Sequence, residues 1–511
     1  MRSVSMRTLV AMVAAVALAG CSGGSGGGGG GGSAPTITSF TATPSSLPVG
    51  GGSVTFAWSV AGATGLSIDQ NVGVVTPLTT GSTTVEVSTS TTFTLTATNA
   101  SGSTTGTAQV TVAAAPTLQT ISGTVVDLGG FAAAGDTVML SSGTFSATTV
   151  ADSDGGFSVP DVPTAPYTAS VLDTDGIDAT VYVGLTRADP TLTDYGRYTP
   201  TNRSATLEGV VSGGFYSEPA GYSTVVGFAS PQLERSFTTA ANGTYSEAIF
   251  RWLGPSTTTG AVSALQIHAP VAFPTDYPGY GETDDVELQD TQITSGADVS
   301  LSAVTVATLS GTVDVPSGYH LTYVIASLQT PSGVLLQLLE DDAPTSTAFS
   351  YTTPSISSTS LVVQAGISSD VLGFVSAYAV KTGLSANATG VEVTVPPSAS
   401  LTLPEDMATD VTLTTAFTWT ATLGISDFQV ICNGSEGPTF YVFTAASTAT
   451  IPDLSAQGLP LPASTTCLWN VLYYGPATTV DELALAGGLH QLTLGDYSNG
   501  ESEQRSFTTS P

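Results

Sequence analysis

Three histidines, three cysteines and two groups of acids are the residues of this chain with the clearest capacity for chemistry. His268, His320 and His490 lie far apart, and none has a neighbouring acid at metal-ligand spacing. The chain contains no H-E-x-x-H, no C-x-x-C and no glycine-rich phosphate loop. Gly20–Gly24 (GCSGG) matches G-x-S-x-G by letter, but lacks the strand–turn–helix context that exposes a serine nucleophile. A Ser-His-Asp site would have to assemble across the fold with no local signal, so enzymatic activity is not expected. Asp152 and Asp154, together with Asp284 and Asp285 in the acid-rich stretch DYPGYGETDDVELQD, could offer hard oxygen ligands to calcium. A hairpin turn and a solvated loop account for the same acids and are the preferred reading. No other cofactor is expected.

A second group of side chains is aromatic. GGFYSEPAGYS, RWLGP and FPTDYPGYG place Phe215, Tyr216, Tyr222, Trp252, Tyr277 and Tyr280 in Gly/Pro-rich, turn-like stretches of one region. Aromatic faces held on loops can stack on sugar rings, and Tyr and Trp often anchor protein interfaces. The opposing expectation is that about half of these rings are core residues.

The remaining reactive group is Cys21. It follows Arg2, Arg7 and the apolar run Leu9–Gly20, which is too short to span a bilayer but suits the hydrophobic part of an export signal. Leu18-Ala19-Gly20-Cys21 resembles the lipobox of bacterial lipoproteins. The resemblance implies cleavage after residue 20 and acylation of the Cys21 thiol and of the new N-terminus. Several acyl chains hold a membrane far more firmly than one, at about 0.8 kcal/mol per buried methylene. Ser22, rather than aspartate, follows the cysteine, which in Gram-negative lipoproteins favours the outer membrane. The Gly/Ser run from Ser22 to Ala34 reads as a flexible tether with a root-mean-square span of about 20 Å.

Composition sets the class of the folded part. Acids outnumber bases 40 to 9, and the formal net charge of −31 excludes a nucleic-acid partner, whose phosphates require a basic surface. It also disfavours lying on an anionic membrane face. Charged residues make up only 10% of the chain and hydrophobic ones 41%, so low charge does not mean disorder. Abundant Thr, Ser, Val and Gly favour strands and turns over helices. The expected fold is all-β: a tandem string of β-sandwich domains after the signal and tether.

The elements can be placed along the chain. In Ser53–Val60, Val54, Phe56 and Trp58 share one face, and in Thr91–Gly102, Phe93, Leu95 and Ala97 do the same before a turn at Asn99–Gly102. Residues 35–114 resemble a bacterial immunoglobulin-like domain, with Trp58 a core plug. TISGTVVD (Thr120–Asp127), ATLEGVVS (Ala205–Ser212) and ATLSGTVD (Ala307–Asp314) then repeat an apolar-x-Gly-x-Val core, their glycines Gly123, Gly209 and Gly311 one small β-domain apart. The first copy continues into ADSDGGFSVPDVPTAPYTASV and resembles the carboxypeptidase regulatory-like, or transthyretin-like, sandwich. The second has ANGTYSEAIF at the equivalent place, and the third lacks that turn near Phe349–Tyr351. These copies divide the chain into 118–200, 204–304 and 305–397.

Residues 398–511 resemble a fibronectin type III domain in DVTLTTAFTWTAT, FQVICNG, TTCLWNVLYYG and EQRSFTTSP, which makes Trp419 and Trp469 core aromatics. Cys432 and Cys467 fall in two of these strands. An export signal implies an oxidising compartment, so a Cys432–Cys467 disulfide is predicted. With residues 1–20 as signal and 21–34 as lipidated tether, the expected function is that of a structural or adhesive lipoprotein of the outer membrane. The alternatives are a protein binding a cell-surface glycan, and an accessory subunit of an outer-membrane enzyme or transport complex.

Overall fold

The computed structural model describes residues 32–511 apart from positions 175, 198–202, 215–220, 231–235, 241, 253, 371–375, 421–422, 433–436, 487 and 489–494. The chain divides into two compact units, Met1–Ala115 and Pro116–Pro511. Both are built from strands, as expected.

The first unit is a sandwich. Thr36–Thr43, Gly52–Ala61 and Thr80–Val87 form one sheet; Ser46–Leu47, Gly102–Val112, Thr91–Asn99, Gly65–Ile68 and Gly73–Val74 form the other. The alternating faces meet as expected: Val54, Phe56 and Trp58 are buried against Phe93, Leu95 and Ala97. Trp58 satisfies its indole N–H on the Pro77 carbonyl at 3.0 Å.

The second unit opens with three copies of one topology. In each, the glycine-bearing strand lies between an antiparallel partner and a short parallel one. Leu118–Val126 is flanked by Gly156–Pro163 and Thr191–Thr193; Arg203–Ser212 by Thr244–Trp252 and the pair Ile293–Thr294 and Val299–Ser300; Thr305–Asp314 by Ala348–Ser355 and Val391–Thr394. The facing four-stranded arrays also share one order, with the second strand in sequence at the outer edge, then the first, third and fourth. The third copy therefore has the same architecture without the Asp/Asn-Gly turn. In the second copy that turn has Asn242 at φ 52° and Gly243 at φ 78°, and it carries the chain from Ser236–Ala240 in one sheet to Thr244–Trp252 in the other, so it is a tight turn between sheets and not the hairpin expected.

Each repeat glycine faces an aromatic ring on the paired antiparallel strand: Gly123 opposite Phe157, Gly209 opposite Tyr245, Gly311 opposite Phe349. The ring occupies the volume a side chain would fill, and a backbone carbonyl at or next to the parallel strand (Pro190, Ala297 and Val391 in turn) closes on the same point. This close approach explains why glycine recurs in the motif.

The second unit is not a string of modules each closed on itself. Asp178–Leu185, at the edge of the first repeat, pairs in parallel with Thr439–Thr444 of the C-terminal region. Ser376–Leu384, at the edge of the third, pairs antiparallel with Tyr497–Glu501. Among the described residues one 14-stranded sheet thus runs from the first repeat through the C-terminal region to the third. Exposed edges that separate modules would leave open are filled by this pairing. Side chains interlock across the first of these seams as well: Leu172, Ala179 and Val181 belong to the C-terminal core, and Ile425, Phe443, Val480 and Leu483 to that of the first repeat. Asp481, on the short helix Val480–Leu483, accepts the Thr186 and Arg187 backbone N–H groups at 2.8 and 3.2 Å.

Candidate functional site

Cys21, Phe215 and Tyr216 lie outside the described residues. Tyr222 is half-buried and stacks on His268, centroids 4.1 Å apart and planes 12° apart. The other three rings correct the expectation of an exposed platform. Trp252 is fully buried, its Nε1 donating to the Pro255 carbonyl at 2.8 Å. Tyr277 is fully buried, its hydroxyl donating to the Thr352 carbonyl at 3.1 Å. Tyr280 is buried, its hydroxyl donating to Glu282 Oε2 at 3.2 Å. FPTDYPGYG looks like a loop because of its Gly and Pro, yet Asp276–Gln289 is a strand. The third repeat covers one of its faces, placing Tyr277 and Tyr280 in one cluster with Val324, Leu336 and Tyr351.

The acids do not converge. Asp152 Oδ1 accepts the backbone N–H groups of Asp154 and Gly156 at 3.0 and 2.7 Å, and so holds its own tight turn between the two sheets. Asp284 and Asp285 are exposed on Asp276–Gln289. Among the described residues no three His, Cys, Asp or Glu side chains group as a metal site, so the two pairs are not brought together. His320 Nδ1 is taken up by Asp370 at 2.8 Å in the open. Cys432 and Cys467 stand directly opposite on paired strands and form a disulfide, with Cα atoms 4.1 Å apart.

The sheet assembles a site that no single stretch announces. Opposed residues in antiparallel strands point to one face. The ladder sets Tyr441 opposite Gln429, Gln429 opposite Asn470, Tyr474 and Tyr378 opposite Asn499, and Tyr323 opposite Gly366. The reverse face of the same strands carries Phe428, Val430, Trp469, Ala377 and Ala379 into the cores. The outer face is therefore a band of half-buried tyrosines (Tyr441, Tyr474, Tyr497, Tyr378 and Tyr323) interleaved with amides and acids. Tyr378 and Tyr497 meet edge to face at 5.8 Å. Tyr323 lies down over Gly366, where an added Cβ would strike its ring, and its hydroxyl accepts Gln364 Nε2 at 2.9 Å.

At the end nearer the first repeat, Tyr195 leans over the band. Its hydroxyl is hydrogen-bonded to that of Tyr474, and its ring lies 4.8 Å from Tyr441. Burial pushes its hydroxyl up to about 12. Below it Asp427 is fully buried; Oδ2 accepts Gln429 Nε2 at 2.7 Å, and Oδ1 has no hydrogen-bond partner. Burial pushes this carboxyl up to about 7. Asn470 donates to Glu501 Oε1 at 2.8 Å, while its own Oδ1 is unpartnered and the residue is 3% exposed. Nearby, Asp136 and Asp194 lie carboxyl to carboxyl, with Arg197 paired to Asp136. Burial, and then the neighbouring Asp136, raise Asp194; like acids this close retain a proton between them. Sequence reasoning missed all of these, since their only local signal is the ordinary polar position of an alternating strand.

No family profile matches the chain, and no curated protein matches it. Among solved structures it is similar to the Bacillus anthracis TIE protein (11% identity, 71% of this chain and 75% of that one, TM-score 0.15). It is similar also to the Ca2+-stabilized adhesin with which an Antarctic bacterium binds ice (16%, 69% and 99%, TM-score 0.14). A third is Sidekick-1 immunoglobulin domains 1–5 (8%, 93% and 99%, TM-score 0.16). Superposition at these scores says nothing about function.

Proposed function

We propose that this chain is a non-catalytic bacterial surface protein, structural or adhesive, held to the outer membrane by lipid on Cys21 and lifted from it by the Gly/Ser tether. The observation that carries the reading is the joining of the first and third repeats to the C-terminal region by direct strand pairing. Such a body resists being pulled apart at one junction, because ladder hydrogen bonds close both seams and an interlocked core backs the first. Leu18-Ala19-Gly20-Cys21 after a short apolar run supports the anchor. Among the described residues no helix is long and apolar enough to cross a membrane.

Metabolic labelling with a palmitate analogue tests the anchor. The wild-type chain should take up label and fractionate with outer membranes, and Cys21→Ser should abolish both. Labelling that persists in Cys21→Ser would refute it. Recovery from membranes with one stoichiometric enzyme or transporter would replace the structural reading by the accessory-subunit one.

A further inference from the structure

We infer that the outer face shared by the third repeat and the C-terminal region binds a linear, uncharged polysaccharide along the row Tyr323–Tyr378–Tyr497–Tyr474–Tyr441. The inference deepens the adhesive reading by naming a ligand class, but it does not depend on the lipid anchor. Three features of the face point to this ligand.

The first is shape. Tyr323 and Tyr441 stand on strands six positions apart in the sheet, which at strand spacing is about 29 Å. That is the span of roughly five or six sugar rings in a row, along a face that is open except where Tyr195 overhangs its Tyr474–Tyr441 end. The Tyr323 ring lies down on Gly366 and so turns a flat face outward, and flat aromatic faces suit the apolar faces of pyranose rings.

The second is hydrogen-bonding sense. Glu501 is exposed on this face and presents a carboxylate acceptor to whatever lies on it. A ligand rich in hydroxyl donors complements it.

The third is charge. The row itself carries no lysine or arginine, in a chain with formal net charge −31. Lys381, which lines a shallow hollow with Tyr497, is paired with Asp496 at 2.8 Å and so offers no free cation. Acidic polymers are repelled, and an uncharged glycan is not.

The test uses the full chain carrying Cys21→Ser so that it is released from membrane, in pull-down on insoluble cellulose, chitin and starch and in calorimetry with soluble β- and α-glucans. Retention on at least one neutral glycan is expected. Tyr378→Ala and Tyr497→Ala should each weaken it tenfold or more, Tyr497→Phe should retain it, and Tyr222→Ala, outside the row, should leave it unchanged. Circular dichroism and melting temperature establish that each variant is folded; if Tyr378→Ala unfolds, Tyr497→Ala and Glu501→Gln carry the test. Failure to bind any neutral glycan would overturn the inference, as would binding indifferent to the tyrosine variants or confined to anionic polymers. Capture of a protein on the row in place of a glycan would also overturn it. None of these outcomes touches the palmitate experiment.

Discussion

Gly311 faces Phe349 on the antiparallel strand Ala348–Ser355 of the third repeat, with the ring standing where a side chain at position 311 would be. A Cβ added at Gly311 would lie 2.8 Å from the ring and closer still to the Val391 carbonyl. The carbonyl belongs to the parallel strand and cannot retreat without breaking its ladder. Gly311→Ala should therefore destabilise the unit by about 1–3 kcal/mol, the usual cost of overpacking. Urea denaturation checks this against Gly495→Ala, where a Cβ meets nothing within 4 Å and no effect is expected.

The seam between the first repeat and the C-terminal region depends on Tyr182 and Phe443, opposed in register and stacked with centroids 5.1 Å apart. Phe443 is fully buried. Phe443→Ala should cost about 3–5 kcal/mol. It should also split the calorimetric transition of Pro116–Pro511, since Phe443 packs on both Tyr182 and Tyr195 of the first repeat and its loss weakens the seam at its centre. A transition that only shifts, with its shape unchanged, would show that the seam is not a weak point of cooperativity.

The Cys432–Cys467 bridge closes a loop with a sequence separation of 35. In the chain-entropy model, a loop of that size stabilises by about 3–4 kcal/mol. In a Cys21→Ser background the denatured, unreduced chain should show no reactive thiol, and the Cys432→Ser/Cys467→Ser pair should lose stability by that order. Two reactive thiols in the unreduced chain would refute the bridge.

Burial holds the Asp427 carboxyl at about 7, against an ordinary value of 3.8. Between those values the unfolded chain has lost this proton while the folded chain keeps it. Its contribution is thus greatest below pH 4 and is lost as pH rises toward 7. The buried Asp136 and Asp194 are raised in the same direction. Melting temperature should fall from pH 5 to pH 8, and Asp427→Asn should flatten that fall. Self-repulsion of the acidic surface adds a slope common to both proteins, so parallel curves would rule out a titrating Asp427.

Much of this architecture was legible in local pattern. Alternation placed Val54, Phe56, Trp58 and their partners on buried faces, because a strand's side chains alternate whatever lies beyond them. The recurring glycines marked three copies of one unit, since close backbone approach leaves no room for another residue. Asn242-Gly243 announced its turn through the φ angles it must adopt.

What alternation could not reveal is what covers a strand's second face. Tyr277 lies among Asp, Pro and Gly and Tyr378 among Ala and Val, yet the third repeat buries Tyr277 while Tyr378 stays half-exposed on the band. Asp427, a single acid in the strand that holds FQVIC, is fully buried between Phe443 and Leu472 on a face that Tyr195 of the first repeat overhangs. Strands, their inward faces and their turns depend on residues a few positions apart, and local order was enough to set them. The seams, the buried acids and the tyrosine row arise only in the folded chain, because lateral pairing joins edges more than a hundred residues apart and leaves no periodic trace in either.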